Sequence, residues 1–111
     1  MTREDGLKMH RLLWHTIAEM LRNGEIVLPT SALYCKEMAF KKIGETREIE
    51  LYCYCCEVSD CCKECLVVWS GLKCGISEYG KFSYSVSRNN VDDAVEYAEK
   101  IANLPARKMP E

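Results

Sequence analysis

Residues 53–65 read CYCCEVSDCCKEC, which places six of the chain's eight cysteines in thirteen positions; the other two are Cys35 and Cys74. Sulfur at this density serves a disulfide knot, a redox or catalytic centre, or a metal. Disulfides fit poorly. Bridge geometry wants Cβ atoms about 3.8 Å apart, and a bridge between sequence neighbours such as Cys55 and Cys56 or Cys61 and Cys62 strains the backbone. A redox C-x-x-C would need a strand-turn-helix setting and one acidic thiol, not two interlocked pairs beside further thiols.

Metal binding fits the spacing. Cys53-x2-Cys56 and Cys62-x2-Cys65 are two C-x-x-C pairs separated by five residues, with Ser59 and Asp60 to reverse the chain between them. Each pair can converge on one ion, and two pairs complete a tetrahedral sulfur site with Zn–S distances of about 2.3 Å. A closed, structural Zn²⁺ site held by Cys53, Cys56, Cys62 and Cys65 is the expectation. Cys74 is the rival for the fourth position, Cys55 or Cys61 could enter by a register shift, and a two-metal cluster is a further option. Cys35 stands alone and reads as a buried thiol that packs as a small hydrophobe.

Catalytic readings fail on spacing. The Cys55-Cys56-Glu57 triplet followed by Cys62-x2-Cys65 has the residue types of a zinc deaminase, but only four residues separate Glu57 from Cys62 and no proline precedes Cys62. His10 and His15 lie five apart on a predicted helix, about 140° around it, so they cannot share a metal as an i, i+4 pair would; both read as surface or half-buried side chains. No phosphate-loop, nucleophile-elbow or HExxH run is present. The chain does not read as an enzyme.

The elements around the cluster suggest one domain over 1–111. Met9, Leu13, Ile17 and Met20, with Leu12, Trp14 and Leu21, recur at helical spacing in residues 6–23, and Asn23-Gly24 is a stop. Thr30 or Ser31 can cap a second helix that ends at Gly44, and Asn90 can cap a third, with Val91, Ala94, Ala98 and Ile101 on one face and Pro105 beyond. Between them EIELYCYC alternates like a strand that runs into the cysteines, and LVVWS and KFSYSVS read as two more. The expected fold is α+β, with helices at both ends around a short antiparallel sheet stapled by the zinc site. Trp69, four residues after Cys65, is expected to pack over that site with its indole N–H on a carbonyl.

Trp14 with Ile17-Ala18, Cys53-x2-Cys56-Glu57, Cys62-x2-Cys65-x3-Trp69, Cys74, Tyr79-Gly80-Lys81-Phe82 and the IANLP run at 101–105 together resemble small cysteine-rich proteins of tailed bacteriophages and prophages, which are mostly uncharacterised. The resemblance implies an accessory protein that acts on host machinery or host defence.

Charge then bears on the partner. The formal net charge is -2 before four thiolates on one Zn²⁺ make it more negative, whereas binding to phosphates usually demands a basic excess. A host protein is the expected partner. The alternative is a nucleic-acid-binding zinc module that uses Lys41, Lys42, Arg47, Lys63, Lys73, Lys81 and Arg88 beside Tyr52, Tyr54 and Tyr84. The N-terminal stretch lacks the apolar core of a secretory signal and no run suggests a membrane span, so the cytoplasm of the host cell is the expected location.

Overall fold

The structure is a computed structural model that describes residues 2–49, 53–55, 65–70 and 77–107. Four helices organise them: α1 (Arg3–Arg22), α2 (Ala32–Ile43), α3 (Glu78–Ser87) and α4 (Val91–Ala102).

Local chemistry sets the helix ends. At the start of α1, Thr2 Oγ1 accepts the Asp5 N–H at 3.0 Å, three residues before the start expected from the apolar stripe. Ser31, not Thr30, caps α2, its hydroxyl accepting the Tyr34 N–H at 3.1 Å. Gly44 ends the same helix with φ 77°, a left-handed conformation that costs glycine nothing, and this lets the Glu45 N–H reach back to the Phe40 carbonyl at 2.9 Å. Asn90 caps α4 through the Asp93 N–H at 3.1 Å, with Asp92 and Asp93 in the first turn complementing the helix dipole.

The packing follows the apolar faces. α1 makes its largest interface with α4, α4 packs on α3, and α1 also packs on α2. Leu13, Trp14, Ile17, Met20 and Leu21 are buried along α1, facing Ala94, Ala98, Ile101 and Ala102 of α4. Leu12 and Val91 fall at the margins of these stripes and stay exposed. The small alanines let the two helix backbones approach. Trp14 fills the centre, its ring edge-on to Phe82 at 4.9 Å and to Tyr79 at 5.9 Å, arrangements that add to the area buried.

The expected sheet is absent from the described residues, where the only β pairing is one antiparallel bridge between Val67 and Ala106. The α+β reading is therefore corrected to a helical fold. KFSYSVS, expected as a strand, lies within α3. Its alternation of Phe82, Tyr84 and Val86 with serines was misleading, because Tyr79, Phe82 and Val86 also fall at helical spacing. Packing against Trp14 selects that period: Phe82 and Val86 are fully buried, Tyr84 is 63% exposed, and Ser85 is buried with its hydroxyl on the Lys81 carbonyl. Of EIELYCYC, Tyr54 and Cys55 are helical and Glu50–Tyr52 lie outside the described residues. LVVWS reaches only the bridge, in which Val68 N–H meets the Pro105 carbonyl and Arg107 N–H meets the Leu66 carbonyl, both at 2.9 Å. Pro105 has no N–H to return, so the ladder loses a bond at its next step.

The helical reading of α3 has a direct test. In a strand Tyr84 and Val86 would share a face, and truncating either would cost alike. Val86→Ala is expected to lower stability by roughly 2 kcal/mol, and Tyr84→Ala by less than about 0.5 kcal/mol, as read by denaturant unfolding.

Candidate functional site: a buried thiol and imidazole cluster

The residues flanking the cysteine loop are drawn under the helices from two sides. Tyr54 and Cys55 are adjacent in sequence and both fully buried. Tyr54 sets its ring edge-on to Phe40 of α2 at 5.3 Å, and Cys55 turns to α1, where its Sγ lies 3.4 Å from Nδ1 of His10. A helical turn at these two positions allows neighbouring side chains to enter the core together. On the other flank, Cys65, Leu66, Val67 and Trp69 are buried. Arg107 Nε donates to the Cys65 carbonyl at 3.0 Å, so the C-terminal strap fixes the backbone at that cysteine.

His10 lies at the bottom of this cluster, 1% exposed, on the α1 face that carries Leu13 and Ile17. Its Nε2 is 3.1 Å from the Ile101 carbonyl of α4. A carbonyl only accepts, so Nε2 carries the proton and Nδ1 presents a lone pair to the thiols. Burial keeps the ring below the usual histidine pKa, which holds it neutral. Trp69 covers the cluster, edge-on to His10 at 6.4 Å, and its indole N–H donates to Cys65 Sγ at 3.2 Å rather than to the carbonyl expected for it.

The thiols are coupled. Hydrogen bonding toward the Cys53 and Cys65 sulfurs, together with burial, holds Cys55 protonated well above the ordinary thiol range. Cys65 is pulled down to about 6, chiefly by the Cys55 hydrogen bond and also by the Val67 N–H and the Trp69 indole, against the cost of burial. These hydrogen bonds favour the thiolate form of Cys65. Nδ1 of His10 lies within hydrogen-bond reach of the Cys55 thiol at 3.4 Å.

Of the expected ligands, Cys53 and Cys65 flank Cys55 in this cluster, whereas Cys56 and Cys62 lie outside the described residues, as do Cys61 and Cys74. Among the described residues no three His, Cys, Asp or Glu side chains form a group that could hold a metal as they stand. None of Cys35, Cys53, Cys55 and Cys65 is in a disulfide. Cys35 is far from sharing this chemistry: it is 0% exposed in α2 and burial pushes its thiol up to about 11.

The sequence placed His10 at the surface or half-buried and offered Cys55 only as a register-shift ligand. The signal for His10 was its place three, four and seven residues before Leu13, Trp14 and Ile17, which puts it on the buried stripe. His15, the partner considered for it, is exposed on another face.

No known protein family, curated protein or solved structure matches this chain. No helix among the described residues is long and apolar enough to cross a membrane.

Proposed function

We propose that this is a small metal-stapled binding protein, its fold held by Zn²⁺ at the thiol cluster that includes Cys53 and Cys65, and its work done by stoichiometric binding to another protein. The carrying observation is burial. Cys55, Cys65 and His10 are each under one-tenth exposed and Trp69 covers them, so a substrate has no approach to the sulfurs of Cys55 and Cys65. A closed sulfur site is structural, whereas a catalytic metal keeps a position open.

Two observations favour a protein partner over nucleic acid. Lys42 is paired with Glu25 at 2.6 Å and Arg47 with Glu45 at 2.7 Å, which neutralises two of the three cations in the basic stretch at 41–47. In contrast, Val27, Leu33 and Tyr34 are exposed at the entry to α2, and Tyr84 is exposed in α3; the two segments are tied together by the Thr30 N–H to Val86 carbonyl bond at 3.0 Å. Exposed aromatic and aliphatic side chains of this kind suit a protein surface. The resemblance to phage accessory proteins makes a host protein, including a defence component, the partner to look for.

The metal-loaded protein is expected to retain a bacterial host protein at one-to-one stoichiometry through nuclease treatment. Its affinity for host DNA or RNA should be weak, with a shallow salt dependence, because few phosphate counterions are released. Tight nucleic-acid binding that falls steeply with salt, and a slope reduced by about one on substituting Lys41, would favour the nucleic-acid module instead.

A further inference from the structure

A groove follows the seam between α3 and α4, on the side away from the thiols. It consists of two hollows of about 470 and 430 Å³, one bordered by Tyr84 and Asp93, the other by Asn103 and Pro105; Lys81 and Tyr97 border both. Cations stand over its rings. The Lys81 and Lys100 ammonium groups lie 5.9 and 5.2 Å from the centre of the Tyr97 ring, and the Arg88 guanidinium lies 5.2 Å from that of Tyr84. Lys81 and Arg88 pair with no carboxylate among the described residues, whereas Arg22, Lys42 and Arg47 each do. Lys100 meets Glu96 at 3.5 Å, with both side chains more than half exposed, and a pair of that kind holds its cation loosely. The carboxylates that border the groove are engaged elsewhere: Glu78 accepts from the Ser70 amide and hydroxyl, and Asp93 from the Asn90 amide at 2.9 Å.

We propose that this groove receives an acidic, extended segment of the protein partner, its carboxylates on Lys81, Arg88 and Lys100 and its apolar side chains against Tyr84 and Tyr97, a proposal that rests on the protein-partner reading and names what is recognised. Charge complementarity selects the occupant. A peptide can set carboxylates where the cations stand and leave neutral the positions that face Asp93 and Glu78, whereas a single-stranded nucleic acid carries a charge at every step and cannot skip them. A cation resting on a ring keeps N–H groups on its far side for a ligand, so part of the ordering cost is met before binding. Tyr84 is common to the groove and to the exposed set that includes Val27, Leu33 and Tyr34.

Fluorescent peptides of about ten residues, roughly 33 Å when extended, test this by anisotropy against the full chain. One alternates Glu with Leu and Tyr, and in two others Gln or Lys replaces Glu. The Glu peptide is expected to bind about tenfold more tightly than the Gln peptide, with the Lys peptide weakest. Lys81→Glu and Arg88→Glu should each weaken the Glu peptide roughly fivefold, whereas Lys8→Glu, the same charge change at an exposed site on α1, should not. The doubly substituted chain, Lys81→Glu with Arg88→Glu, should also lose the host protein in a nuclease-treated pull-down. Equal binding of the Glu and Gln peptides, or a preference that survives both substitutions, overturns the inference. Host-protein capture undiminished in the doubly substituted chain also overturns it and leaves the protein-partner reading standing. A single-stranded oligonucleotide that binds more tightly than the Glu peptide and is lost in the same variants overturns both, as does a wild-type chain that captures no host protein.

Discussion

Replacing Cys65 with serine is expected to remove the proposed zinc and to loosen residues 53–55 and 65–70 together. Binding at a structural zinc site supplies about 10–16 kcal/mol, as much as or more than the entire net stability of a typical domain, about 5–15 kcal/mol. On the proposed zinc reading, the folded state depends on the ion. Serine is the informative replacement, because its hydroxyl can still accept the Trp69 indole N–H that Cys65 Sγ accepts at 3.2 Å, so the change isolates loss of the ligand from loss of packing. Cys53→Ser should behave in the same way, and a strong chelator should reproduce both in the native chain. Cys35→Ser is the control: its thiol lies 0% exposed in α2, and a buried hydroxyl costs about 1–3 kcal/mol without touching the metal. The measurements are zinc per chain by elemental analysis and thermal unfolding with and without chelator. Full zinc content with unchanged melting in both Cys53→Ser and Cys65→Ser would remove the metal from the account of this fold.

Trp69→Ala is the second large effect expected, a loss of about 3–5 kcal/mol. The indole is 9% exposed, lies edge-on to His10, and donates to Cys65, so truncation opens a cavity beside the sulfur and admits water to it. Trp69→Phe separates the contributions. It keeps a ring over the cluster and removes only the N–H to sulfur bond, which to a charged acceptor is worth about 1.5–3 kcal/mol. The expected order in chemical denaturation is wild type, then Trp69→Phe, then Trp69→Ala. Equal melting of all three would mean that the ring is a surface group, contrary to its burial.

What the sequence made legible divides by distance along the chain. Helices whose ends are written in neighbouring residues were readable: Ser31 three residues before the amide it caps, Asn90 before Asp93, Gly44 at a left-handed stop. α3 was not, because its residues satisfy two periods. Phe82, Tyr84 and Val86 alternate as a strand would, Tyr79, Phe82 and Val86 recur as a helix would, and the choice is made by Trp14, which lies far away in sequence and contributes nothing to a local pattern. The site shows the same division. Spacing within residues 53–65 marked a thiol cluster, and Cys53 and Cys65 do flank its buried part. It could not indicate that Cys55 turns inward to a histidine 45 residues earlier, since that pairing is fixed by how α1 lies across α4. Trp69 was legible as a cover for the site, but its hydrogen-bond partner was not; the sulfur that accepts its proton became available only when Cys65 turned the same way.

The bond between His10 and the Ile101 carbonyl spans 91 residues, and the strap that steadies Cys65 is made by Ala106 and Arg107. During synthesis, therefore, the cysteines leave the ribosome well before the groups that complete their surroundings. The buried cluster is complete only after residue 107 has emerged. Closing so long a loop is entropically slow compared with winding the four helices. Completion of the cluster's surroundings thus waits for residues 101–107, however early the cysteines themselves are made.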